Sequence, residues 1–261
     1  MDMKRFWTLI AALFLTGFAM NAQTSEKTFD IEDFTGIRAD SAFEVTLQQG
    51  SDYQVVVEVT EEFMPYVSAK NKRGVLELSF NRLPFQLKQK ARRRVAKATV
   101  TMPEIALIEL AGASKLYSGD TFRNNMRKVT IKLRGASVIE RLDLKSPDQD
   151  IELDGASKAQ MKLYSSDVIA DLAGASRLTV TGETTDLQVK VKGASRFEGK
   201  DFESREAEVE AGGASTVEVR VEKKLSVNLS GASKCRYYGD EDEVTVRAVK
   251  VAGASSIKHA R

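Results

Sequence analysis

Cysteine occurs once in the 261 residues, at Cys235, and histidine once, at His259. A single cysteine excludes an internal disulfide. A single histidine beside a single cysteine excludes a zinc cluster of ordinary spacing, and no calcium-loop repeat is present. His259 stands two residues from the last position and reads as a surface histidine. No cofactor motif is found, and none is expected. The four prolines, Pro65, Pro84, Pro103 and Pro147, stay clear of the alternating segments described below, as they should if those segments are paired strands. Only one run is long and apolar, the fifteen residues Phe6 to Met20, which is short for a bilayer span. Charge of one sign is also missing. The formal net charge is +2, and it falls to +1 without Asp2, Lys4 and Arg5, so bulk charge gives no case for nucleic acid.

Lys4 and Arg5, followed by the apolar run and then by Asn21-Ala22-Gln23, have the pattern of an export signal cut after Ala22. The expectation is a leader over residues 1–22 and a mature chain without a transmembrane span, placed in the periplasm, on the outer surface or in the medium. No cysteine follows the run to carry a lipid. The remaining chain divides by texture into an N-terminal β-rich part, residues 23–103, and a repeat part, residues 104–261.

The repeat carries most of the information. Gly-Ala-Ser occurs eight times, with its glycine at Gly112, Gly135, Gly155, Gly174, Gly193, Gly213, Gly231 and Gly253. The spacings are 23, 20, 19, 19, 20, 18 and 22, a period that signals stacked structural units. Positions two and four before each glycine are apolar throughout, and the position between them is polar throughout, from Glu109 to Lys250. Period two is a strand with one face inside. Four residues past each glycine the apolar character resumes, from Leu116 to Ile257. Each unit therefore supplies a strand, a small-residue bend and a second strand, with the remaining residues as a third side or a loop. The pattern predicts an all-β fold, a right-handed parallel β-solenoid of about eight coils, roughly 38 Å long at ~4.8 Å per coil.

At the bend, glycine allows a sharp turn, alanine keeps the column thin, and parity turns the serine inward. The eight serines, Ser114, Ser137, Ser157, Ser176, Ser195, Ser215, Ser233 and Ser255, are expected to form a buried column bonded to neighbouring coils. Eight equivalent serines cannot share one histidine as a catalytic base, so the motif reads as structural. Cys235 falls in an apolar column and reads as a small buried hydrophobe.

Ahead of the repeat, Ala42 to Val59 reads as two strands about a turn at Gln49–Asp52, Glu61 to Val67 as a short helical turn stopped near Pro65, and Asn71 to Gly74 as a turn before another strand. The order "FTGIRADSAFEVTLQQG", "GVLELSF", a strand ending in "TMP", then recurring "LAGAS" resembles the head, or GIN, domain of autotransporter adhesins, exported bacterial proteins of the Bacteroidetes type. The resemblance covers most of residues 29–258. It implies a right-handed β-helix with an N-terminal β subdomain, and adhesion as the activity. Arg38 departs from it, standing where the family's name implies asparagine. No barrel segment is expected to follow the last unit.

Two basic features are candidate polyanion sites. Lys88 to Lys97 holds six basic residues and no acid, among them Arg92, Arg93 and Arg94. It suits an anionic polymer or headgroup, or else is a solvated loop or a partner for the acidic stretch Glu26–Glu62, which carries ten acids against two bases. Three residues past the glycine, five of eight positions are basic: Lys115, Lys158, Arg177, Arg196 and Lys234. In a solenoid these form one outward stripe at ~5 Å intervals, with Glu140, Glu198 and Glu218 two positions on to relieve it. The leading reading is a non-enzymatic exported head that binds polysaccharide or protein at the cell envelope, without nucleic acid. One rival is a carbohydrate-active β-helix using outward carboxylates such as Glu109, Glu152 and Asp171. The other is a periplasmic partner of an envelope system.

Overall fold

The computed structural model describes residues 23–125 and 128–260; the expected leader lies outside them. In chain order the strands are β1 (Thr24–Phe29), β2 (Gly36–Ala39), β3 (Glu44–Gln49), β4 (Gln54–Thr60), β5 (Val67–Lys72), β6 (Val75–Phe80), β7 (Ala96–Met102), β8 (Leu107–Leu110), β9 (Lys115–Arg123) and β10 (Lys128–Leu133). They continue with β11 (Val138–Lys145), β12 (Asp148–Leu153), β13 (Lys158–Leu172), β14 (Arg177–Val191), β15 (Arg196–Ala211), β16 (Thr216–Leu229), β17 (Lys234–Tyr238), β18 (Thr245–Val251) and β19 (Ser256–His259). One short helix, α1 (Phe85–Lys90), and two 3-10 turns, Glu61–Tyr66 and Ala91–Arg93, complete the described elements. From β8 onward every pairing is parallel and joins one coil to the next, which makes a β-solenoid.

The coils have fewer breaks than the repeat suggests. In the middle of the rod one strand runs from just after one Gly-Ala-Ser to just before the next, 15 residues in β13 and β14 and 16 in β15. The second corner of the coil lies inside this strand. In β13 the inward series Ala159, Met161, Leu163 lapses over Tyr164–Asp167 and resumes at Val168, Ala170, Leu172. No separate loop forms a third side there.

The motif itself is a stacked turn. All eight glycines have φ between +70° and +78°. The alanine N–H donates to the glycine carbonyl of the preceding coil, as in Ala175 to Gly155 (2.7 Å) and Ala194 to Gly174 (2.8 Å). That ladder brings the glycines so close that a Cβ on Gly193 would sit 2.5 Å from the Gly174 oxygen. Two constraints thus demand glycine, a left-handed φ and a neighbour with no space for a side chain. The alanines face solvent and the serines face the core; Ser114 through Ser233 are buried, and Ser255 in the last coil is half-buried.

The serine bonds differ in part from the expected coil-to-coil column. Ser137, Ser157, Ser176 and Ser233 donate to the carbonyl three residues back, closing their own turn at 2.7–2.8 Å. Bonds between coils also occur: the Ser176 N–H donates to Ser195 Oγ at 3.2 Å, and Ser215 and Ser233 hydroxyls meet at 3.2 Å. A turn leaves one carbonyl pointing inward, and the nearest hydroxyl takes it.

The solenoid begins before the first Gly-Ala-Ser. Strands β2 and β3 pair in parallel with β8 and β9, and the turn at Asp40–Ala42, with positive φ at Ser41 and Ala42, stacks beneath Gly112. Residues 36–49 are therefore a coil without the motif, and the sheet runs unbroken across residue 103. The segment from Ala42 to Val59 forms two strands, as expected, but not a hairpin. Strand β7 lies between them, parallel to β3 and antiparallel to β4, and β1 closes that side antiparallel to β4. On the other side β5 and β6 form a hairpin about Arg73–Gly74, both with positive φ, and β6 pairs with β2. The antiparallel strands β1, β4 and β5 end the parallel stack at this pole. At the opposite pole β18 and β19 have no further described strand beyond them, and Val249 and Val251 are 45% and 44% exposed.

Candidate ligand-binding surfaces

Parallel register turns each repeat position into a line of side chains down the rod. Three residues past the glycine the line runs Lys115, Val138, Lys158, Arg177, Arg196, Thr216, Lys234, Ser256, with Glu44 of β3 before it. The five basic residues expected to form a stripe are thus brought into one, and all five reach solvent. Acids relieve it unevenly. Lys115 bonds Glu44 at 3.1 Å and lies 3.8 Å from Glu140, and the Glu44 hydrogen bond holds its pKa above the usual lysine value. Arg177 and Arg196 share one carboxylate, Glu198, each at 3.7 Å. Glu218 takes Arg236 instead, at 2.9 Å. Among the described residues Lys158 and Lys234 have no ion-pair partner. The least compensated part is therefore Lys158, Arg177 and Arg196, three cations on adjacent strands. A shallow depression of about 310 Å³ follows, lined by Arg196, Glu198, Thr216, Glu218, Lys234 and Arg236.

The second basic feature breaks up. Lys90 bonds Glu62 at 2.7 Å and Lys97 lies 3.7 Å from Glu58, so part of the run does answer the acidic stretch. The Arg94 guanidinium lies 4.4 Å over the Phe80 ring and 5.7 Å from Phe63, and donates to the Ser41 and Ala91 carbonyls. Burial pushes its pKa below the usual arginine value, so Arg94 anchors the segment and is not a free cation. Arg92 is exposed and unpaired among the described residues; the Arg93 side chain lies outside them.

The carboxylates three residues before the glycine fall in a line of mixed charge with basic residues: Arg38, Glu109, Lys132, Glu152, Asp171, Lys190, Glu210. Glu109 accepts from Arg38 at 2.8 Å and Glu152 from Lys132 at 2.8 Å. Glu152 and Asp171 are register neighbours on the solvent face, in a groove of about 390 Å³ that also holds Lys132 and Lys190. Among the described residues no three His, Cys, Asp or Glu side chains are placed to hold a metal ion.

One line was missed by reading only four residues back from the glycine. Seven back stand Lys128, Asp148, Asp167, Asp186, Glu206 and Lys224. Four carboxylates on successive strands, ended by lysines, border a depression of about 610 Å³. Lys224 bonds Glu206 at 2.8 Å, and Lys128 bonds Asp150 at 2.5 Å. The same position-by-position count, carried further back, would have found it.

These features define a β-solenoid head, a rod whose charged lines face solvent. The chain belongs to the family described as putative auto-transporter adhesin, head GIN domain, which matches residues 33–240. No curated protein matches the chain. Among solved structures it is similar to a putative adhesin from Parabacteroides merdae (14% identity, TM-score 0.78) and one from Parabacteroides distasonis (16%, 0.79). It is also similar to a putative lipid binding protein from Parabacteroides distasonis (18%, 0.78). In each case 92% of this chain and 98% of the other are covered. At such identity the likeness is one of fold. No described helix is long and apolar enough to cross a membrane.

Proposed function

We propose that this protein is an exported, non-enzymatic binding head that holds extended anionic polymers of the cell envelope against one line of its coils. The observation that carries the reading is the register of Lys158, Arg177 and Arg196 on adjacent strands, with one carboxylate, Glu198, between two of them. A rigid line of cations at ~5 Å intervals meets the charges of an extended polyanion without reorganising. Membership of an adhesin family and the adhesin-named neighbours support a binding role, and the expected leader supports export. Lipid binding by this stripe is a rival suggested by the name of the third neighbour.

The test passes residues 23–261 over immobilised heparin and alginate, recording salt-dependent retention together with release of reducing ends. Retention that disappears by about 0.5 M salt, without release, is the expected result. Arg177→Glu with Arg196→Glu should lower it steeply. Unchanged retention in that double variant rejects the stripe. Release of reducing ends overturns the non-enzymatic reading and points to Glu152 and Asp171, neighbouring carboxylates in a groove that also holds Lys132 and Lys190.

A further inference from the structure

A different face, at the capped pole, holds a basic loop with an exposed aromatic ring. Between β6 and β7 the chain leaves the sheet for residues 81–95. Its base is fixed: Leu83 and Leu87 pack on the core, Arg94 sits over Phe80, Lys90 clips to Glu62, and the Val95 N–H donates to Thr60 Oγ1 at 2.9 Å. Its tip is not neutralised. Arg82, Lys88 and Arg92 are exposed and have no ion-pair partner among the described residues, and no acid occurs from residue 81 to 103. Among them Phe85, at the start of α1, is 73% exposed, more than any other large apolar side chain of the described residues. A fixed base beneath an apolar ring ringed by free cations is not a solubilising loop, since the ring gains nothing in water.

We infer that this loop docks reversibly on an anionic lipid surface, with Phe85 entering the headgroup boundary and Arg82, Lys88 and Arg92 pairing with lipid phosphates. The chemistry favours a bilayer over a protein groove. A stable protein interface needs roughly 800 Å² from each side, and one exposed ring on a six-residue helix cannot supply its apolar centre. A bilayer needs only a wedge and charge, and gives weak, salt-sensitive binding in return.

The experiment uses residues 23–261, which contain every described element, and vesicles of phosphatidylcholine with or without about 30% phosphatidylglycerol. The only tryptophan of the chain is Trp7, outside that span, so Phe85→Trp introduces a unique reporter. Its emission should shift to the blue and gain intensity on adding anionic vesicles, and not on adding neutral ones. In co-sedimentation F85S should lower partitioning about tenfold, and K88E with R92E by more than about tenfold, at roughly fivefold for each lost cation. K145E, an exposed cation outside both basic features, should leave it nearly unchanged. These are surface positions, and thermal unfolding of each variant checks that the fold is kept. The proposal is overturned if the Phe85→Trp emission does not move, or if anionic and neutral vesicles bind alike. It is equally overturned if F85S converts a dimer to a monomer in light scattering, which would make the loop a contact between copies.

Discussion

Two glycines with nearly the same backbone angle separate conformational strain from crowding. Gly74, in the hairpin turn, has φ +79° and open space for 4 Å around the point where a Cβ would stand; Gly193 has φ +76° and a carbonyl oxygen 2.5 Å from that point. Gly74→Ala should therefore cost only the left-handed strain, about 1 kcal/mol, whereas Gly193→Ala should cost about 3 kcal/mol or more, because the coil must part to admit the methyl. Urea denaturation of both variants measures the gap, and equal costs would mean that the glycine column is selected for angle alone. The serines allow a similar comparison. Ser176 Oγ donates to the Ala173 carbonyl at 2.8 Å, while Ser114 Oγ is buried with no partner among the described residues. Ser176→Ala should destabilise by about 1 kcal/mol, since it orphans a part-buried carbonyl, and Ser114→Ala should be neutral or mildly stabilising. A destabilised S114A would show that its hydroxyl has a bond not seen in the static structure.

At the scale of elements, Arg38 on β2 ties the cap to the coils. It bonds Glu77 of β6 at 2.7 Å and Glu109 of β8 at 2.8 Å, and Lys72 of β5 reaches Glu77 as well. Chiefly the Lys72 hydrogen bond, and then that of Arg38, hold Glu77 below the usual glutamate pKa, while the Glu109 bond raises Arg38. A carboxyl depressed on folding contributes stability that is complete above its unfolded value, about 4.3, and is lost as pH falls through its folded value. Glu77→Gln should cost about 1 kcal/mol at neutral pH and nothing once the pH lies below that folded value, so the stability curves of wild type and variant should converge toward acid. Curves that stay parallel would assign the cost to packing. The strands, the coil period and the inward serines were legible because each is written in a short local pattern, such as Leu110, Gly112 and Ser114. The motif-free coil at residues 36–49 was not, because its turn reaches the same stacked position through Asp40, Ser41 and Ala42 with different residues. Nor was the placing of β7 between β3 and β4, since alternation specifies a face and not a partner. The stripe at Lys158, Arg177 and Arg196 followed directly from the period, whereas the burial of Arg94 over Phe80 joins residues from separate strands that no local pattern links.

For the whole molecule, the two poles differ in a way that stability should reveal. Each coil touches only its neighbours, so stability is a sum of coil and interface terms, and a coil with one neighbour opens first. The cap strands β1, β4 and β5 close one pole, while Val249 and Val251 at the other are nearly half exposed. Cys235 is placed to report on that asymmetry. It lies in β17, with Val217 on one side and Ile257 of the final coil on the other. Burial pushes its thiol up to about 12, so the folded chain should be inert to a disulfide reagent at about pH 8 and react only on opening. Its labelling should occur well below the urea concentration of the main transition, with an opening free energy several kcal/mol smaller than that of global unfolding. In a C235A background, a cysteine introduced by Val189→Cys, at a buried site in the middle coils, should label only with the global transition. If both thiols react together, the rod unfolds as one body and the cap's stabilisation extends to the far end. If Cys235 reacts first, the open pole frays ahead of the rest, and the middle coils that carry Lys158, Arg177 and Arg196 are the most persistent part of the surface.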